Sequence, residues 1–517
     1  MEITTVSCVL GVAAIIFLLF TWWISNRLWF KPKKIEKFLR DQGLEGTPYR
    51  FMHGDLKEMV QMMIEAKSKP MNLTHDIVPR VSPFFHKSLA TLGKNCFTWM
   101  GTQPLLHVSE PTMIQDVLLN YNKYQKPKGG NPLIKLLVKG LAHVDGDQWV
   151  KHRKIINPAF HMEKLKHMVP AFYVSCSEMI DKWEEILTEE GSCEVDVWQY
   201  LQTFSSDVIS RTAFGSSFEE GRNIFELQRE LAELVIPAIN SVYIPGSRFF
   251  PTKNNKRMKE IDQQVSDSIK NMINKRVVAM NSGKSSNDDL LSILLDSNYN
   301  EIKRHGNSKL GLSIEDIIEE CKLFYFAGQE TTGNMLVWTM ILLGQHLEWQ
   351  ASAREEVLHV FGDKKPDTDG LGHLKVISTI FNEVLRLYSP LTILRRQISD
   401  QTILGNLTIP AGTLIQINVL NLHHDKDMWG EDANEFKPER FSEGVSKVTK
   451  GQAIYLPFSG GPRICIGQNF AQLEAKMALA MILQRFYFEL SPSYAHAPHA
   501  MPTVQPQFGA HMILHKR

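Results

Sequence analysis

Residues 458 to 467 read Phe458-Ser-Gly-Gly-Pro-Arg463-Ile-Cys465-Ile-Gly467: a lone cysteine in a loop of three glycines and a proline, two residues after an arginine. A helix-like run, 468 to 485, follows at once. Backbone N–H groups, the helix dipole and the positive charge are each expected to lower the thiol pKa and favour thiolate. Glycines let the backbone come close to something flat and bulky. A lone cysteine is most often a small buried hydrophobe, but this Gly/Pro/Arg setting favours a chemical role, as nucleophile or as metal ligand. A nucleophile wants a nearby histidine base, and the closest in sequence, His424 and His496, belong to other segments. This Gly-rich run lacks the GxGxxG spacing and does not follow a strand, so no built-in NAD or flavin site is expected.

Upstream, Ser313-x-x-Asp316 is a capping-box-like start, and no proline follows until well after Gly344. About 30 residues at 1.5 Å each would span ~45 Å, the width of a large domain. The segment is apolar on nearly all faces (Ile317, Phe324, Tyr325, Leu336, Val337, Trp338), so it should run through the core. In its middle stands Ala327-Gly-Gln-Glu330-Thr331-Thr332. A glycine, a carboxylate and two hydroxyls cost stability there. They make either a back-bonded kink or a locally opened helix that presents a hydroxyl and an acid to a ligand.

The 517 residues are 43% hydrophobic and 22% charged, as in globular proteins, which excludes disorder and coiled coil as global descriptions. A net charge of +1 leaves no footprint for nucleic acid. The six cysteines are scattered without CxxC spacing, which argues against a disulfide scaffold or zinc site and fits a chain facing the cytosol. Val6 to Ile24 carries no charge over ~19 residues, enough to cross a bilayer. Trp22, Trp23, Trp29 and Phe30 suit an interfacial belt, and Arg27, Lys31, Lys33, Lys34 and Lys37 place everything after residue 26 in the cytosol. A cleaved signal peptide would need a basic start and a small-residue cleavage site, and neither is evident.

Helical periodicity dominates from about 160 to 390, with long segments at 162–187, 225–242 and 257–280. Short β-like pieces (105–108, 401–409, 413–419, 486–490, 511–514) cluster at the two ends, giving a mainly α body with small β-sheets. Polar stretches at 282–289 and 297–311 read as surface loops around a short helix, 290–295.

The loop Phe458-x-x-Gly461-x-Arg463-x-Cys465-x-Gly467 resembles the haem-binding loop of the cytochrome P450 superfamily at every fixed position. Ala327–Thr332 is similar to that family's oxygen-activation segment, with Glu330 for the commoner Asp. Glu383-Val-Leu-Arg386 resembles its ExxR pair, and Phe436-Lys-Pro-Glu-Arg440-Phe441 the segment that locks onto it. Residues at i and i+3 share a helix face, so Glu383 and Arg386 can pair, with Arg440 joining them. The same spacing at Glu219/Arg222, Glu226/Arg229 and Glu301/Arg304 reads as solvated helix charge. Segments 207–215, 243–251, 467–471 and 506–511 are similar to the plant branch that contains secologanin synthase and legume triterpenoid oxidases. Ser389, where Pro is usual, and Gly460, where that branch more often has Trp, depart from the pattern.

The resemblance implies a cytochrome P450 fold with an N-terminal transmembrane helix: a luminal stub (1–5), an anchor (6–24), a basic linker (25–47) and a haem-thiolate catalytic domain (48–517). It implies haem b with Cys465 as the axial thiolate metal ligand, Phe458 shielding the sulfur, and Arg463, Trp149, Arg153 and Arg396 around the propionates. Glu383, Arg386 and Arg440 are structural. Thr331 would hydrogen-bond the activated oxygen while Glu330 relays protons through water. O2 is the co-substrate, and electrons come from NADPH through NADPH–cytochrome P450 reductase at the endoplasmic reticulum membrane, with Lys447 and Lys450 as candidate docking residues.

Implied substrate positions are Leu133, Leu136 and Leu137, the segment from Leu234 to Ala238, Phe324 and Phe326, the segment from Leu391 to Leu394, and Gln507 and Phe508. They are mostly apolar and suit a large, poorly soluble, alicyclic substrate arriving from the membrane. Pro245, Phe249 and Phe250 are candidates to dip into the bilayer. The expected enzyme is a monomeric monooxygenase that binds no nucleic acid and acts first on a pentacyclic oleanane-type triterpenoid. An iridoid glucoside or a gibberellin-like diterpenoid comes second. A haem-thiolate isomerase or dehydratase, or a haem protein without turnover, is the rival class.

Overall fold

Ser313 and Asp316 start the central helix by reciprocal bonding: Ser313 Oγ accepts from the Asp316 N–H, and the Asp316 carboxylate from the Ser313 N–H, each at 3.1 Å. The helix then runs unbroken over Ile314–Gln345, 32 residues, or about 48 Å. From Met335 to Gly344 every side chain is buried, so this half sits inside the main hydrophobic core. The computed structural model describes residues 2–128, 132–137, 139–216, 218–239, 246–282 and 289–517, without the side chains of 2–9, 218–220 and 239.

Around the central helix pack Val197–Phe214, Phe218–Ile239, Lys253–Asn281, Leu347–Phe361, Lys375–Leu387 and Gln468–Arg485, with Met162–Glu185 laid against Val197–Phe214 and Gln468–Arg485. Val197–Phe214 lies closest. A Cβ on Gly328 would stand 2.8 Å from Ile209, so the glycine lets the two helices touch at the polar mid-segment. The sheets are small. The largest has five strands in the order Phe97–Met100, Gln103–His107, Leu414–Ile417, Leu394–Ile398 and Tyr124–Gln125; the second and third pair in parallel, the rest antiparallel. A three-stranded sheet has His511–Lys516 between Ser192–Asp196 and Phe486–Leu490. Two hairpins, Thr402–Leu404 with Leu407–Ile409 and Pro498–Ala500 with Val504–Pro506, complete the mainly α architecture.

At the N-terminus, helix Glu2–Ser25 continues through a π-turn, Asn26–Phe30, into Lys31–Arg40. Its apolar window is unburied by the protein, while Arg27 and Lys33 stack on Trp23 and Trp29 at 5.3 and 5.5 Å. The 25–47 stretch, expected as a linker, is helical as far as Arg40 and docked. Leu39 is fully buried, the Tyr49 hydroxyl donates to the Leu28 carbonyl, and Arg40 donates to the Gly46 carbonyl at 2.6 Å.

The polar 297–311 stretch corrects a sequence expectation. Helix Leu290–His305 covers its first half, and only a 3₁₀ turn, Ser308–Leu310, follows. Asp289 caps its start by accepting from the Ser292 N–H, and Gly306 ends it in the left-handed region. Asn298 is buried because its amide bonds both backbone groups of Leu312. Local polarity suggested a loop where tertiary bonding holds a helix. Most of the 282–289 loop, the 243–251 motif as far as Pro245, and the loop at Gly129 lie outside the described residues.

Candidate functional site: a cysteine loop and the central helix

The cysteine loop is held from beneath by the ExxR knot. Arg386 Nε and Nη2 grip the two oxygens of Glu383, each at 2.7 Å, and both side chains are fully buried. The remaining guanidinium donors reach the carbonyls of His423 (2.7 Å), Ala433 (2.6 Å) and Glu435 (3.3 Å). Arg440 Nε lies 3.6 Å from Glu383 Oε1. His423 passes the constraint on: its Nδ1 meets the Arg386 carbonyl at 3.1 Å, and its Nε2 accepts from the Leu456 N–H at 2.9 Å, two residues before Phe458.

Within the loop the Cys465 N–H donates to the Phe458 carbonyl at 2.9 Å. Gly461 needs its φ of +65°, and a Cβ there would lie 2.4 Å from the Leu118 carbonyl oxygen. Cys465 is accessible, although protein atoms crowd its sulfur closely enough to desolvate it. Burial pushes the thiol pKa up, opposed by the Gly467 N–H and by Arg153. This corrects the expected downward shift: desolvation outweighs the local donors. The nearby charge is also not Arg463. Arg153 bonds the Ile464 carbonyl at 2.9 Å and acts on Cys465, whereas Arg463 turns to Asp145 and the Val144 carbonyl (3.0 Å), over the Trp149 ring at 4.6 Å.

Arg463 belongs to a cation cluster. Lys126 and Arg396 share its surroundings, with Asp145 as the counter-charge. Burial together with the two arginines pulls Lys126 down to about 7, and burial with Arg463 pulls Arg396 down to about 10. Arg396 Nε and Arg463 Nε are buried without a partner. Three cations against one carboxylate leave a formal excess of two positive charges, the complement of a haem's two propionates. Lys126 was not identified from the sequence, since a lysine after a two-residue strand carries no local signal.

The central helix carries the acid and the hydroxyls. Thr331 Oγ1 donates to the Ala327 carbonyl at 2.8 Å, so the mid-segment is back-bonded and remains helical. Glu330 Oε1 accepts from Thr503 Oγ1 at 2.8 Å and from Asn334 Nδ2 at 3.2 Å. Burial raises its pKa against these two bonds and the pull of Arg229. A second acid, Glu474 on Gln468–Arg485, is fully buried beside Ser205, which also bonds the Gly328 carbonyl at 3.1 Å. Desolvation raises the Glu474 pKa well above the usual carboxylate range. A lone glutamate amid apolar residues was its only sequence signal.

The expected substrate positions divide. Leu133, Leu137 and Phe324 are buried in the main core, with Leu136, Leu234, Phe326 and Ala238 packed against it. Leu394 packs on a second cluster, while Leu391 and Phe508 are exposed. Gln507 is a structural tie, its Oε1 accepting from Arg80 at 2.8 Å. Phe249 and Phe250 are exposed.

A sequence profile described as Cytochrome P450 matches residues 75–507. The chain belongs to the cytochrome P450 family. Cytochrome P450 CYP72A219 of Panax ginseng is 59% identical over 504 residues, covering 97% of each chain. The 7-deoxyloganic acid hydroxylase of Catharanthus roseus is 53% identical over 98% of this chain and 99% of its own length. Secologanin synthase 1 of the same plant is 53% identical over 98% of both. This P450 is a haem-thiolate monooxygenase of an apolar plant metabolite, using O2 and electrons from NADPH–cytochrome P450 reductase. Its N-terminal helix is a single-pass anchor in the endoplasmic reticulum membrane, with the catalytic body in the cytosol.

Proposed function

We propose that this P450 inserts one oxygen atom of O2 into a C–H bond of an iridoid-type substrate. The observation that carries the reading is the pair of 53%-identical relatives named for 7-deoxyloganic acid and secologanin. The oleanane-type triterpenoid favoured by the sequence motifs moves to second place, because neither of these names points to it.

The residues fit haem b. Cys465 would supply the axial thiolate, and Lys126, Arg396 and Arg463 would hold the propionates, with Trp149 packed under Arg463. Bound haem supplies the oxygen-activating redox chemistry. Thr331, free to leave its bond to Ala327, offers a hydroxyl donor to the reacting oxygen. Glu330, whose pKa burial raises, is placed to pass protons toward the centre. Retention of this acid–hydroxyl pair favours oxygen activation over isomerase or dehydratase chemistry.

Microsomes containing this chain and the reductase test the reading against 7-deoxyloganic acid, an oleanane triterpenoid and a gibberellin. NADPH-dependent hydroxylation of the iridoid acid is expected. Turnover of the triterpenoid or gibberellin with none of the iridoid would overturn it.

A further inference from the structure

The surroundings of Glu330 are lopsided. Oε1 takes two hydrogen bonds, whereas Oε2 takes none among the described residues and is not among the sealed, unpartnered atoms. Every bond in the network has a fixed direction. Asn334 Oδ1 accepts from Trp198 Nε1 at 3.1 Å and from Gln202 Nε2 at 3.0 Å. A flipped amide would turn its NH2 on two donors, so the orientation is determined. Asn334 Nδ2 therefore points at Thr503 Oγ1, 2.6 Å away. That hydroxyl accepts from Asn334 and has one proton to give, which it gives to Glu330 Oε1. Oε1 meets only donors.

The framework is stiff. Asn334 is fully buried and Thr503 nearly so, and Trp338 Nε1 clamps the same hairpin turn through the Val504 carbonyl at 2.9 Å. The charged group that acts on Glu330 from the packed elements is Arg229, on Phe218–Ile239; Val197–Phe214 and the hairpin turn bring neutral groups.

We propose that Thr503, oriented by Asn334, is a positioning residue that confines the exchangeable proton of Glu330 to Oε2, the accessible oxygen. In each cycle the O–H bond at Oε2 breaks as its proton departs, leaving a carboxylate steadied at Oε1, and re-forms with a proton from solvent. This inference rests on the proton-relay role of Glu330, and the test separates the two.

Infrared titration of the purified, haem-loaded full chain follows the carbonyl stretch of the protonated carboxyl, assigned by its loss in Glu330→Gln. Thr503→Val removes a donor that favours the carboxylate, so the midpoint should rise by about one pH unit, a tenfold change in proton affinity. Peroxide released per NADPH, with reductase and 7-deoxyloganic acid, should rise by about threefold or more. Thr503→Ser should restore both. An unmoved midpoint in Thr503→Val, or a serine variant that behaves like valine, overturns the proposal. Should the valine variant fail to load haem, Thr503→Ala is judged by the same midpoint. If the midpoint moves while Glu330→Gln leaves coupling intact, the Thr503 assignment stands and the relay reading falls.

Discussion

Glu383 and Glu330 lie on adjacent helices, and the fold treats them in opposite ways. Glu383 has both oxygens filled by Arg386, and its Oε1 also faces the Lys437 N–H at 3.1 Å and Arg440. Glu330 has one oxygen pinned and the other without a hydrogen-bond partner among the described residues. A saturated carboxylate has nothing left to offer a ligand and serves cohesion. A half-saturated one, in a setting that raises its pKa, can hold and release a proton. Buried charge alone does not distinguish a structural acid from a functional one; the unused lone pairs do.

The harshest test of that contrast is to strand the Glu383 charge. Arg386→Ala should cost ~3–5 kcal/mol and abolish haem loading, read by thermal unfolding and by the spectrum of the reduced carbonyl complex. A stable, pigmented Arg386→Ala protein would erase the distinction. Thr331→Ala should instead keep the pigment and stability while product formation falls ~10²-fold and NADPH is diverted to peroxide. Normal coupling in that variant would remove Thr331 from the chemistry.

Smaller effects are expected at the cation cluster. Lys126→Met should speed haem loss ~10-fold, measured by transfer to a haem acceptor. In the haem-free protein Lys126 titrates near 7, against ~10.4 when unfolded. The unfolded chain then binds the extra proton, so apo-protein stability should climb from about pH 7 to 10 and fall on acidification. Lys126→Met should flatten that slope in pH-dependent denaturation. The mildest change is Glu330→Gln, which should lower product per NADPH a few-fold and flatten its pH profile on the acid side; an unchanged pH profile would count against a titrating Glu330.

The same contrast explains what was legible in the chain. Cys465, the ExxR pair and the central helix announce themselves through local pattern: glycine spacing, i to i+3 placement and a capping box. Residues that act through distant partners do not. Lys126 gains meaning only beside Arg396 and Arg463, and Thr503 only beside Asn334 and Glu330. The polar run after Leu295 reads as loop because the bond from Asn298 to Leu312 is invisible locally. Leu133 and Leu137 show the reverse limit, since apolar positions read the same whether they line a site or fill the core.

Cys465 as the axial ligand is the claim on which the rest depends. The purified full chain, reduced and exposed to carbon monoxide, should show the strongly red-shifted Soret band of thiolate ligation, and Cys465→His should lose it. A native, pigmented protein whose band stays at the unshifted position of neutral-ligand haem would contradict the account.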